Sequence, residues 1–297
     1  MSNYRARYNR LCGDNTYPVT DAVEKIIGRR TKRVYNGQPI PEELFKKLIA
    51  AAQSAPTSSM AQTWSVIVIK DPSMKAEFIK RWPNHLGIVP NELFNALDDP
   101  INPDKISDWG NKIAVETCDM LLIWLVDMNR LSNIFTNSEY GSTPDIRNVK
   151  DASRQSLDTA HIELRSIIDV CLAANTFATA AEIEGLGVMF CGSFRTMPLK
   201  ELLRLPDRVM PVFGMTVGYS DEVTDIKPRL PQDMVVHHET YQPLDNDRME
   251  EYNRKLKRTW RTYIKFDWFD RMITRTIMND ENRYFRALAE RYGFKFK

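Results

Sequence analysis

Leu44, Phe45, Leu48, Ile49 and Ala52 recur at intervals of one, three and four positions, which places them on one face of a helix. Pro41 suits the first position of that helix, and Ala55-Pro56 suits its end. Upstream, Asp21 followed by Glu24 resembles a capping box that opens a short helix containing Ile26 and Ile27. Two runs rich in β-branched and large apolar residues, Trp64 to Ile69 and Met120 to Val126, read as buried strands. Asp71-Pro72 closes the first of them. Residues 73 to 108, punctuated by Pro83, Pro90, Pro100 and Pro103, read as helix fragments and loop. Residues 131 to 153 are polar and read as an irregular excursion or lid.

A long helix is expected from Leu157 to Glu184. Its first half is amphipathic through Leu157, Leu164, Ile167, Ile168 and Cys171. Its second half, Val170 to Ala181, is apolar nearly all round, which predicts burial on every side, and Gly185 and Gly187 suit its C-cap. Further strands are expected at Gly187 to Cys191 and Val212 to Tyr219. A polar stretch, Asp221 to Tyr241, then leads into helices near 246 to 262 and 267 to 292. Helices flanking several buried strands make a layered α/β or α+β fold.

Composition narrows the function. At 43% hydrophobic and 27% charged residues the chain has globular proportions, so a disordered chain is not expected. Basic and acidic residues nearly cancel, 41 against 39, so overall charge points to no nucleic acid. The apolar run from Met120 to Val126 is too short to span a bilayer and Met1 to Arg7 has no apolar leader, so no membrane role is expected. Cys12, Cys118, Cys171 and Cys191 form no C-x-x-C pair, Cys118 and Cys171 read as small core residues, and a reducing cytoplasm is expected. No metal site is expected, because His161, His237 and His238 form no H-E-x-x-H pattern. A Walker A loop, a G-x-G-x-x-G loop and a Gly-x-Ser-x-Gly elbow are also missing. The basic residues concentrate in two clusters, Arg29 to Arg33 and Arg254 to Arg261, each of which also reads as a solvated helix face.

What remains is a dispersed set: Arg29 to Arg33, Pro56 to Gln62, Gly185 to Ser193, and Lys227-Pro228-Arg229. With Leu205-Pro206 through Tyr219, Leu230-Pro231 and His237 through Leu244, taken in this order, the chain resembles the nitroreductase family. It is most similar to the NADPH-dependent, oxygen-insensitive nitroreductase and flavin reductase branch, from about Asp21 to the C-terminus. The resemblance implies an α+β fold, a three-layer α/β/α sandwich whose mostly antiparallel central sheet is flanked by helices, in an intertwined homodimer. It implies one domain over residues 1–297, with 72–108 and 131–155 as extended excursions near the site and 246–297 as a C-terminal helical extension.

It further implies FMN as cofactor, NAD(P)H as reductant with NADPH preferred, and a small electron-poor acceptor reduced in ping-pong fashion. Guanidinium groups suit the flavin phosphate, which the resemblance assigns to Arg29, Arg30, Thr31 and Arg33 together with Lys227 and Arg229. Thr57, Ser58, Ser59 and Gln62 match the loop beside the ring and ribityl chain, and Asn111 (or Lys112) a polar contact there. Phe190, Cys191, Gly192 and Ser193 match the segment whose amides face the ring, with Cys191 lining the site and not attacking. Ser59, Met60 and Arg283 fall on the substrate side. Arg258, Arg261 and Lys265 are candidates for the NADPH 2′-phosphate. Lys32 stands where the family has an apolar residue, and Ser193 where it has a second glycine. No protein acid or base is needed for hydride exchange, so no catalytic residue is assigned. Reductive removal of halide or nitrite, and azo or enone reduction, would use the same flavin. A non-enzymatic module that binds an anion is the other reading of the basic clusters.

Overall fold

The computed structural model describes residues 20–80, 108–137, 139–152, 160–192, 196–224, 226–227, 229–259, 269 and 272. Four strands make one antiparallel sheet in the order β1-β2-β4-β3: β1 is Trp64–Ile69, β2 Met120–Asp127, β3 Gly187–Cys191 and β4 Val209–Gly218. In chain order the helices are α1 Asp21–Ile27, α2 Glu42–Gln53, α3 Pro72–Lys80, α4 Asp108–Thr117, α5 Asn129–Thr136, α6 Pro144–Ala152, α7 Ala160–Ile183, α8 Thr196–Leu202 and α9 Asn246–Thr259.

Strand β2 explains the layering. Its side chains alternate between two separate cores, as strand geometry requires. Met120, Leu122, Trp124 and Val126 meet α2 and α7 through Leu48, Ala52, Ala173, Ala174 and Phe177. Leu121, Ile123 and Leu125 meet α3, α4 and α8 through Phe78, Val115 and Leu199. A strand covered on both faces has no polar positions to alternate, hence the unbroken apolar run. Trp124 anchors the first core, with its ring 5.8 Å from Phe177 and 5.6 Å from Trp64. The expected three-layer α+β arrangement is therefore present.

Several boundaries differ from expectation. Thr20, not Asp21, caps α1, its side chain accepting from Val23 N at 3.5 Å. Pro41 is the N-cap of α2 and not its first turn. Strand β4 begins three residues before Val212, with Pro211 opposite Leu125 beside a register shift, a place where a sheet tolerates proline. Residues 129–152 carry two helices and are not irregular; Leu131, Ile134 and Phe135 already have helical spacing, and Leu131 and Phe135 pack on the first core. Gly185 is the left-handed cap of α7 (φ 84°), with Leu186 N donating to Ala181 O at 2.9 Å. Gly187 belongs to β3, where a Cβ would come within 2.7 Å of Lys32 Cγ.

Helix α7 is not buried on every side. Its alanine-rich face packs on the sheet, whereas Leu164, Ile168 and Leu172 are 50%, 49% and 41% exposed and form one stripe at four-residue spacing. Cys171 lies beside that stripe and is exposed, which corrects its reading as a core residue. Residues 161–183 are long and apolar enough to cross a membrane by length and composition, but the alanine face is part of the protein core. The expectations for Pro83, Pro90, Pro100, Pro103, Pro228, Ser193, Arg261, Lys265 and Arg283 lie outside the described residues, as does most of 267–292.

Candidate functional site

Arg29 to Arg33 with Phe190 and Gly192, and Thr57 to Gln62, lie at two corners of the sheet. The first lies outside β3. After α1 the chain runs alongside that strand, Thr31 forming a parallel bridge with Val188 and Lys32 N donating to Val188 O at 3.3 Å. Arg29 is oriented from two sides: its Nε lies 3.3 Å from Glu182 Oε1, and its guanidinium sits 5.6 Å over the Phe190 ring. Phe190 is itself propped by Phe213 at 5.5 Å. Glu222 holds the following turn, one carboxylate oxygen accepting from Arg33 N at 2.6 Å and from Val34 N at 3.2 Å.

Lys32 is explained by the same contact. Its stem covers Gly187 and its ammonium donates to the Glu222 carbonyl, so it is a strut that replaces apolar packing. Below this turn the Tyr35 hydroxyl is buried against Thr216 Oγ1 at 2.7 Å and donates to Lys32 O at 3.0 Å. Desolvation raises the Tyr35 pKa far above the ordinary phenol value, so it remains neutral.

Cys191 does not line the corner surface. Its side chain is in the second core, and burial drives its thiol pKa well above the ordinary value, which leaves it inert. Gly192 is exposed, with open space where a Cβ would stand. Lys227 and Arg229 are held together, Arg229 Nη1 donating to the Lys227 carbonyl at 3.2 Å. Five residues separate Glu222 from Lys227, so the tether confines Lys227 to within ~17 Å of this corner. Asn111 is near the start of α4, six residues before Thr117, whose hydroxyl accepts from Tyr35 N at 3.2 Å. The side chains of Asn111 and of Arg258, on the last turn of α9, lie outside the described residues.

The second corner lies before β1. Thr57 to Gln62 makes a tight turn in which Ser59, Met60 and Gln62 all have left-handed backbone, φ 52°, 55° and 51°. Each such non-glycine residue costs about 1–3 kcal/mol and persists only where its surroundings enforce it. The enforcing groups are remote in sequence. Ser58 N donates to Asp169 Oδ1 at 3.0 Å, and the Thr63 hydroxyl donates to Asp169 Oδ2 at 3.2 Å. From the other side Arg130 Nη2 donates to Gln62 O at 2.9 Å and to Trp64 O at 2.6 Å, with Asp127 3.5 Å from its Nη1. Asp169 and Arg130 escaped the sequence reading. A lone acid between Ile168 and Val170 in an apolar helix was the available signal.

This turn borders an open cavity of about 1300 Å³, whose walls include Trp64, Leu131, Phe135 and Ile162, with Arg130 and Arg165 among its polar groups. Met60, 78% exposed, stands at its rim. Apolar and aromatic walls with a few hydroxyls and amides suit a flat heteroaromatic ring. The arginine corner suits a phosphate. Together they have the donor set that FMN requires.

One protomer does not bring them together. Thr31, Val188, Val217 and Met120 share one row across the sheet, while Trp64, Val126 and Met210 share another. The rows are six residues apart along β2, or ~20 Å, and Thr31 and Trp64 lie four strand spacings apart, or ~19 Å. The corners are diagonal to each other, farther apart than one extended flavin mononucleotide can reach.

Comparison with known proteins agrees with this architecture. Residues 26–219 match the nitroreductase family, and 227–297 match the C-terminal domain of that family. The chain is 28% identical over 286 residues to the Cr(VI) reductase of Pseudomonas sp. (strain G-1), which covers 92% of this chain and 99% of that protein. It is 26% identical over 277 residues to the FMN reductase (NADPH) of Bacillus subtilis (strain 168), covering 88% and 96%. The solved structure of NfrA1 from B. megaterium shares the fold with a TM-score of 0.71 at 29% identity, over 93% of this chain and 99% of that one. By sequence over most of its length, and by the fold built on that sequence, this chain belongs to the nitroreductase family.

Proposed function

We propose that the chain is an FMN-dependent NAD(P)H oxidoreductase of electron-poor small molecules, working as a homodimer in which each flavin site is shared between protomers. The observation that carries this reading is the diagonal separation of a cationic corner from an apolar cavity on one sheet. A two-fold axis places the first corner of one protomer against the second corner of its partner, and does so twice. The exposed stripe Leu164, Ile168 and Leu172 on α7 supports such an axis, because apolar surface of this kind is normally covered.

When bound, FMN supplies the hydride acceptor and donor chemistry that links NAD(P)H oxidation to acceptor reduction. Arg29, Arg30 and Arg33, with Thr31, Lys227 and Arg229, hold the phosphate by charge-assisted hydrogen bonds. Thr57, Ser58, Ser59 and Gln62 present hydroxyl and amide groups to the polar edge of the ring. Phe190 and Gly192 flank it, the glycine allowing close approach of backbone. Ser59 and Met60 face the substrate side, at the rim of the open cavity. No side chain of the chain is assigned proton transfer. NADPH is the preferred reductant, as for the FMN reductase (NADPH) of B. subtilis, and the cytoplasm is the compartment that suits a NAD(P)H enzyme with free thiols.

The purified protein should be yellow with FMN-like absorbance, run as a dimer, and bleach when mixed anaerobically with NADPH. A colourless protein that takes up no FMN would support the anion-binding module instead.

A further inference from the structure

Asp169 lies midway along α7, 2% exposed, on the side that borders the cavity. Both of its carboxylate oxygens are engaged by a single loop: Oδ1 by Ser58 N at 3.0 Å and Oδ2 by the Thr63 hydroxyl at 3.2 Å. Those donors stand at the two ends of the turn that contains left-handed Ser59, Met60 and Gln62. Among the described residues no ion pair reaches this carboxylate. A buried charge paired only with neutral donors lowers stability relative to a well-packed apolar residue. An alanine-rich core helix could carry such a residue at this position without loss of packing. The carboxylate therefore needs an explanation other than the stability of the fold.

Resting on the flavin site proposed above, we infer that Asp169 is the positioning residue of the Thr57–Gln62 loop. It holds the strained turn in its left-handed form before any ligand arrives, so that the hydroxyls and amides of the turn meet the ring without rearrangement. The turn also bonds internally: Gln62 N donates to Thr57 Oγ1 at 3.3 Å and Met60 N to Thr57 O at 3.1 Å. Asp169 bridges the ends of that unit and fastens it to α7. Ile168, the preceding residue, belongs to the exposed apolar stripe of α7. The loop is thus tied to the helix that would receive the partner protomer.

The test compares Asp169→Ala, Asp169→Asn and Thr63→Val. Alanine removes both bonds. Asparagine retains an acceptor for Ser58 N and can donate to the Thr63 oxygen, so it preserves the shape of the clamp. Valine removes one bond without touching the acid. Four quantities are read in each: the Tm of the flavin-free protein, FMN affinity by fluorescence quenching, kcat and KM for NADPH at saturating FMN, and hydrogen exchange of the Ser58 amide. Asp169→Ala should weaken FMN about tenfold or more, because both hydrogen bonds that fasten the loop to a charged group are lost. It should also raise Ser58 exchange and lower kcat at saturating FMN. Thr63→Val should show a smaller loss, and Asp169→Asn should restore both kinetics and exchange.

Loss of Tm in Asp169→Ala with unchanged saturated kinetics and unchanged Ser58 exchange would overturn the inference. So would an Asp169→Asn protein as impaired as the alanine variant. Should Asp169→Ala not fold, Thr63→Val and Asp169→Asn carry the same comparison. A wild-type protein that shows no FMN quenching would remove the flavin reading alone, and Ser58 exchange would still decide whether the clamp exists.

Discussion

The two corners of the sheet, each proposed to present polar groups to a ligand, are built by opposite means. At the β3 corner the chain keeps ordinary backbone, borrows the edge of a strand for support, and orients Arg29 through Glu182 and Phe190. The braces there are also remote in sequence, but they hold a relaxed backbone: Glu222 accepts from two successive amides and Phe190 underlies Arg29. At the β1 corner the backbone itself is strained, three non-glycine residues being left-handed, and two distant side chains, Asp169 and Arg130, hold it. Charge can be displayed from a relaxed edge, because cations need only reach. Close shape around a ring needs a fixed backbone, and fixing it needs tertiary contacts.

The strongest way to break this comparison is to reverse charge at the relaxed corner. Arg33→Glu or Arg229→Glu should weaken FMN binding about a hundredfold or more, since attraction and hydrogen bonds are both lost. Full flavin retention by both variants, in a fluorescence titration, would remove the phosphate assignment. Next in size, Ile168→Glu with Leu172→Glu places charge on the bare stripe of α7. The protein should become monomeric by analytical ultracentrifugation and lose flavin about tenfold, as a shared site requires.

A mixing experiment sharpens the comparison without a new contact. Arg33→Glu disables one corner, and Ser59→Pro disables the other, because proline cannot adopt a positive φ. Each homodimer should be inactive. Unfolded together and refolded, the pair should recover about a quarter of wild-type activity, from one intact site in half of the dimers. No recovery would mean that each protomer completes its own site. Smaller still, Glu222→Ala should weaken FMN about fivefold by freeing Arg33 N and Val34 N, with Glu222→Gln near wild type.

The smallest effect is a control at neither corner. Asp71 caps α3, its carboxyl held below the ordinary value by hydrogen bonds from the Ser73 hydroxyl and then the Met74 amide. A lowered folded-state pKa stabilises the protein above the unfolded value and loses that stability as pH falls through the folded value. Asp71→Asn should therefore flatten the acid limb of the stability profile slightly and leave FMN affinity unchanged.

Much of the relaxed corner was legible in the residues. Arg29 to Arg33 stood out as a basic cluster, and only the family resemblance, with Lys227 and Arg229 far along the chain, marked it as a candidate phosphate site. Trp64–Ile69 and the apolar run of β2 announced themselves by composition. Leu131, Ile134 and Phe135 carried a helical period that the surrounding polar residues hid. The strained corner was legible only as a list of hydroxyls, since serine, methionine and glutamine give no local sign of left-handed backbone. Asp169 was a visible anomaly, an acid flanked by Ile168 and Val170 in the middle of an apolar helix, but its partners lie more than a hundred residues away.

By itself, then, the sequence determined what depends on neighbours along the chain: periodicity, caps, charge clusters and the identity of the groups that can meet a phosphate. Burial and pairing were left to the tertiary structure. Only packing decided that one face of α7 is core and the other is bare, since an apolar residue does not specify its partner. Only the strand order placed the arginines and the hydroxyl loop on opposite edges, because antiparallel pairing of distant segments is set by the whole sheet. And only tertiary contacts, from Asp169 on α7 and from Arg130, reach the loop in which three non-glycine residues are left-handed.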